Sequence, residues 1–150
     1  MIYLRIAAML GALFAVFLLG MWLTWPELAY NPTGFPINRN FVAISLNGEP
    51  LAHAELPRAQ TLQARRESMF RLRAFGYGGC NGWIATLMVV PPKSIVWGDQ
   101  HRTVVTCGRA GVHEERYLAA LLGTTRWRRE ERTLILANDT DVLRFQLAPF

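Results

Sequence analysis

MFRLRAFGYGGCNGWIATLMVVPP, residues 69–92, is the stretch on which the fold turns. Its first part alternates: Phe70, Leu72 and Ala74 are apolar, while Arg71 and Arg73 are charged. A period of two places successive side chains on opposite faces of a strand, one of them buried. Its last part, Trp83 to Val90, is more continuously apolar and ends at Pro91-Pro92, the pattern of a more deeply buried strand. Between them lies Gly76-Tyr77-Gly78-Gly79-Cys80-Asn81-Gly82. Glycine and asparagine tolerate the positive φ angles that a tight, bulged connection needs.

Short strand patterns continue on both sides. Phe41 to Leu46 runs into Asn47-Gly48, a strong hairpin signal, and Gln60 to Arg65 alternates again. Ser94 to Trp97 and Arg102 to Thr106 supply further strands around Gly98-Asp99. Thr124 to Arg129, Thr133 to Leu136 and Val142 to Leu147 complete the set, with Asn138-Asp139 as a turn. One helix is expected, over Ala110 to Leu122, with Val112, Tyr117, Leu118, Leu121 and Leu122 toward one side. Glu114 and Glu115 fall in its early turns, where the helix dipole favours negative charge. Gly123 suits a left-handed terminating residue. The predicted fold class is α+β, mostly β: a small antiparallel meander or open barrel of about seven or eight strands with one packed helix.

The amino-terminal region reads differently. Ile6 to Trp25, IAAMLGALFAVFLLGMWLTW, contains no charged residue. As a helix at 1.5 Å per residue it would extend about 30 Å, the thickness of a bilayer core. Arg5 precedes it, Trp22 and Trp25 lie at its far end, and Pro26 follows. The bulky residues around its end make a poor signal-peptide cleavage site, and no cysteine follows at which a lipoprotein could form. The expectation is an uncleaved transmembrane signal-anchor over 1–25, a Pro-rich linker over 26–40 and a globular domain over 41–150. Arg5, the short amino-terminal tail and the use of cysteine orient that domain outward, to the periplasmic side of an inner membrane.

Charge narrows the partners. The net charge of +5 rests on arginine, since Lys93 is the only lysine. Arg65, Arg66, Arg71 and Arg73 form one cluster, and Arg126, Arg128, Arg129 and Arg132 another that is interleaved with Glu130 and Glu131. No nucleic-acid-binding motif accompanies them, so nucleic acid is not expected as a partner. Attraction to an anionic membrane surface is the simpler reading.

Chemistry centres on the two cysteines, Cys80 and Cys107. In an exported domain they read as one disulfide. Two buried thiols are the bland alternative, and a zinc site drawing on His101 and His113 is a third. The six-residue intervals between His101, Cys107 and His113 match no short chelating pair, and His53 has no partner in the sequence. Cys80 with a histidine and Asn81 also holds the parts of a cysteine hydrolase, although a disulfide would remove its nucleophile. Glu114-Glu115 and Glu130-Glu131 are adjacent pairs whose members point in different directions. There is no phosphate loop, dinucleotide fingerprint or HExxH motif. The backbone of Gly78, Gly79, Asn81 and Gly82 is a candidate binding loop.

Gly79-Cys80-Asn81 after a strand, Thr103 to Cys107 as Thr-x-x-x-Cys, and Glu114, Tyr117 and Leu118 as Glu-x-x-aromatic-Leu combine with Leu46-Asn47-Gly48 near the domain start. Together these motifs resemble the META-domain family, the group similar to the heat-shock protein HslJ, over approximately residues 41 to 148. Phe41 stands where a tryptophan is common, and Val104-Val105 replaces the usual Arg-Met. The resemblance implies a small domain of antiparallel strands with one helix, found in bacterial envelope proteins and often tethered to a membrane. It implies no established catalytic activity and no cofactor, and it carries over only the positions of Cys80 and Cys107. Its associations are with envelope stress, antibiotic tolerance and secretion. The expected function is therefore a non-catalytic binding or structural module of the envelope, held to the membrane through residues 6–25 and meeting an unidentified envelope protein or ligand. The alternative is an envelope enzyme or thiol-active protein using Cys80 or Cys107.

Overall fold

The computed structural model describes residues 33–51 and 53–149. The expected anchor over 1–25 and the first part of the expected linker lie outside them. Among the described residues nine strands and one α-helix follow in chain order, with a single 3-10 turn at His53–Glu55. They are β1 (Asn40–Leu46), β2 (Glu49–Pro50), β3 (Thr61–Arg66), β4 (Arg71–Tyr77), β5 (Gly82–Val90), β6 (Ser94–Arg102), α1 (Arg109–Gly123), β7 (Arg126–Glu130), β8 (Thr133–Ala137) and β9 (Val142–Leu147). The strands form one antiparallel sheet in the order β2-β1-β3-β4-β5-β6-β7-β8-β9, and β1 also pairs with β9. That last pairing curls the sheet into a barrel with the short β2 as an appendage, and β6 and β7 meet only at Ser94 and Arg126, so the barrel is open along the rest of β6. Among the described residues no helix is long and apolar enough to cross a membrane.

The alternation in residues 69–92 has the predicted consequence. Leu72 and Ala74 of β4 and Trp83, Ala85, Leu87 and Val89 of β5 point inward, while Arg71, Arg73, Ile84 and Met88 face out. Leu62, Ile95, Leu134, Leu136, Leu143 and Phe145 complete the barrel interior. Asn47 and Gly48 adopt φ of 54° and 86°, and the β1–β2 turn forms where Asn-Gly predicts it.

Several expectations are corrected. The strands number nine, and the two short strands expected over 94–97 and 102–106 are replaced by the single β6 and an irregular segment, 103–107. Gly98 and Asp99 are a bulge opposite Thr86, because Ala85 pairs with Gln100 and Leu87 with Trp97. The helix ends without a left-handed residue: Thr124 leaves it in extended conformation, and its hydroxyl donates to the Leu121 carbonyl at 2.7 Å. Val112 faces solvent, and the buried face is Ala110, Glu114, Tyr117, Leu118, Ala120 and Leu121. This face closes one pole of the barrel, with Tyr117 packed edge-on against Phe145.

The opposite pole is closed by residues read from the sequence as linker. Phe35 is 1% exposed and packs edge-on against Trp127, with ring centroids 5.1 Å apart. The Asn38 N–H donates to Ala64 O at 2.8 Å. Residues 33–39 thus belong to the domain's packing, because the prolines and glycine around Phe35 shape an irregular cover that has no hydrophobic period to announce it.

Candidate functional site

The glycine-rich turn between β4 and β5 is folded around a carboxylate. Glu114, on the buried side of α1 and 2% exposed, projects into it. Glu114 Oε2 accepts the Cys80 N–H at 3.1 Å and the Asn81 N–H at 2.5 Å, and Oε1 accepts from Asn81 Nδ2 at 2.9 Å. Consecutive N–H groups in such a turn form an anion-binding concavity. Here the anion is internal. Gly78 makes this approach possible, since a Cβ there would lie 2.6 Å from Glu114 Cγ. Gly79 holds a φ of 119°, which other residues rarely adopt.

Asn81 spends its remaining polar capacity on the segment after β6. Its Oδ1 accepts from the Val105 N–H at 2.8 Å and the Thr103 hydroxyl at 3.1 Å, while Nδ2 also reaches Val105 O at 3.2 Å. Thr103 exchanges hydrogen bonds with Gly82, receiving its N–H on Oγ1 and donating its own N–H to Gly82 O. Cys80 and Cys107 stand as a disulfide pair with Cα atoms 6.2 Å apart, inside the range such a bridge requires. The turn, segment 103–107 and the start of α1 are therefore one clasp. Gln60, buried, supports it from β3's entry by donating to Gly78 O at 3.0 Å.

The structure brings together Cys80, Cys107, Gly78, Gly79, Asn81 and Gly82, and adds Glu114 and Thr103. Glu114 is read from the sequence as a dipole partner of its helix; it is the centre of the clasp instead. The signal that marks it is its place in the Glu-x-x-aromatic-Leu motif beyond Cys107. The histidines do not join the cysteines. His113 Nε2 lies 3.5 Å from Glu55, His53 Nε2 lies 2.6 Å from Ala43 O, and His101 is exposed on β6. Among the described residues no three His, Cys, Asp or Glu side chains gather where they could hold a metal.

Beside the clasp, the outer face of β3–β6 carries a shallow cleft of about 570 Å³. Phe75, Tyr77 and Ile84 give it an apolar floor, and Gln63, Gly82 and Arg102 stand at its sides. Arg58 stacks over Tyr77 at 4.5 Å and Arg65 over Phe75 at 5.2 Å, so guanidinium groups lie on aromatic faces. Beneath, Tyr117 is fully buried and its hydroxyl donates to Thr61 O at 3.2 Å. Burial pushes its phenol well above the usual tyrosine range.

An antiparallel barrel with one capping helix and a disulfide clasp defines a small, stapled β domain. Its pattern matches the family model described as META domain over residues 35–150, and the chain belongs to that family. An NMR structure of a protein from Burkholderia xenovorans is similar with a TM-score of 0.62 and 22% identity, over 76% of this chain and 84% of that one. A second NMR structure has a TM-score of 0.53 and 16% identity, over 73% of this chain and 88% of its own. At these identities the likeness shows the fold. No curated protein matches.

Proposed function

We propose that this chain is a membrane-anchored envelope protein whose META domain binds or braces and does not catalyse. The observation that carries the reading is how the polar groups of the clasp are used. The donors of the glycine-rich turn are taken by Glu114, the amide of Asn81 is spent on Val105, Thr103 and Glu114, and the sulfurs of Cys80 and Cys107 face each other. Groups committed in this way stabilise a shape and leave no nucleophile at either cysteine. Recognition then falls to surface that is not committed, the outer face of β3–β6 starting at Gly82. The charge-free stretch of residues 6–25 supports the anchor, and paired cysteines fit an oxidising compartment.

Two measurements test this. A carboxy-terminal reporter that is active only outside the cytoplasm is expected to be active; cytoplasmic activity sinks the envelope reading. Intact-mass analysis of chain purified from membranes is expected to show alkylation of Cys80 and Cys107 only after reduction. Ready alkylation would favour the thiol-active alternative.

A further inference from the structure

The barrel has two unlike poles. One holds the clasp, α1 and the turns at Asn47-Gly48 and 138–141, and its charges are mixed: Glu49, Glu55, Glu115, Asp139 and Asp141 stand with Arg58, Arg102, Arg109 and Arg116. The other holds the β3–β4 tip, the β5–β6 turn and the β7–β8 tip. There Arg65, Arg66, Arg71 and Arg73 face only Glu67, Lys93 stands at the β5–β6 turn, and Arg128, Arg129 and Arg132 outnumber Glu130 and Glu131. The moderate net charge of the whole chain thus conceals a strongly basic end.

The same pole exposes apolar side chains. Met69 is 58% and Phe70 45% exposed at the β3–β4 tip, and Val90 is exposed at the end of β5 beside them, where Val89 N–H donates to Phe70 O. Met88 and Val96, a cross-strand pair on the outer face, extend the patch. Apolar side chains projecting from a ring of arginines suit the boundary between lipid headgroups and acyl chains.

The chain also enters the domain here. Phe35 packs on Trp127, Lys93 Nζ lies 3.8 Å from the centre of that ring, and Asn38 pairs with Ala64 near the end of β3. The stretch from Trp25, the last residue of the expected span, to Thr33 reaches at most about 30 Å when fully extended. The tether to residues 6–25 therefore joins the domain at this pole.

We infer that this basic, apolar-tipped pole docks on the surface of an anionic phospholipid bilayer, with Met69 and Phe70 entering the headgroup region and Arg66 and Arg71 facing lipid phosphates. The inference rests on the proposed anchoring for proximity, while its chemistry belongs to the pole alone. The clasp pole then points away from the membrane, toward whatever the domain meets.

Hydrogen exchange of the full chain in nanodiscs tests it. In discs containing anionic phosphatidylglycerol, the amides of Met69 and Phe70 are expected to exchange several-fold more slowly than in purely zwitterionic discs. The turns at 47–50 and 138–141 should not change, which provides the internal reference. Arg66→Glu with Arg71→Glu is expected to abolish the protection, at about fivefold in apparent affinity for each charge removed. Met69→Ser with Phe70→Ser should abolish it too, with the reference turns again reporting an intact fold. Equal exchange in the two lipids overturns the inference. So does protection that follows protein concentration and ignores lipid charge, which would assign the pole to a second copy of the chain. Alkaline carbonate extraction of cell membranes carrying the full chain reports on the anchor separately: release from the membrane defeats the anchoring reading, and the released full chain, returned to neutral pH and added to discs of the two compositions, still tests the pole.

Discussion

Glu114 shows how one side chain can dictate its neighbours. A buried carboxylate must be met by donors, and the Gly78–Gly82 turn brings three of them. Glu114→Ala would leave those donors unsatisfied at a cost of about 2–4 kcal/mol. Gly78→Ala would press a methyl group into the Glu114 side chain, costing about 1–3 kcal/mol. Because both effects concern the same atoms, they should not add. In the Glu114→Ala background the Gly78→Ala change is expected to cost less than about 0.5 kcal/mol by urea denaturation; full additivity would show that the contact is not what requires the glycine. Tyr117 yields a second prediction at this scale. Its phenol is held protonated in the fold by burial, whereas the unfolded chain releases that proton near pH 10. Above that value the unfolded state binds fewer protons, so stability is complete below pH 10 and falls as pH rises. The expected slope is up to about 1.4 kcal/mol per pH unit, and Tyr117→Phe should remove it. An unchanged slope in the variant would remove Tyr117 as its source.

Segment 103–107 is an element without regular structure, and its order comes from what it touches. Val104 and Val105 are exposed, so no burial holds the backbone between β6 and α1. Asn81 and the Cys80–Cys107 bridge do so. Closing the 27-residue separation should stabilise the domain by about 3–4 kcal/mol in the chain-entropy picture. Reduction is expected to lower the unfolding free energy by that amount, read as a fall in the urea midpoint, and to speed hydrogen exchange first in 103–107, ahead of β8 and β9. A midpoint indifferent to reductant would sink the claim. This element also explains what the sequence could and could not disclose. Thr103 to Val105 have the composition of a strand, yet Gly98 and Asp99 absorb a bulge that lets β6 run on to Arg102, and the following residues find Asn81 before another strand. Local propensity carries no information about that distant acceptor. Gly123 is similar: the sequence marks it as a left-handed helix terminator, but in the structure it ends the helix without that conformation, its carbonyl accepting from Asn138 Nδ2 at 2.9 Å.

For the molecule as a whole, the alternation in 69–92 and the Asn-Gly turn made the β-rich architecture with one helix legible. Barrel closure was not, because the β1–β9 pairing joins distant strands whose patterns differ in nothing from those of an open sheet. The start of the domain was hidden for a related reason: Phe35 and Ile37 are two apolar residues among prolines, glycine and asparagines, too short a run to mark them as core. The burial of Phe35 against Trp127 makes the cover over residues 33–39 part of the fold. Removing the ring by Phe35→Ala should cost about 3–5 kcal/mol, within the range for large aromatic side chains in cores. A chain beginning at Phe41 loses that ring together with the Asn38–Ala64 hydrogen bond, and it uncovers Trp127 at the basic pole. It is expected to be at least as destabilised as Phe35→Ala, whereas a chain beginning at Thr33 should match the full-length domain. Urea midpoints of the three decide the matter: if the chain beginning at Phe41 equals the one beginning at Thr33, residues 33–40 are tether after all, and the pole is closed by the strands alone.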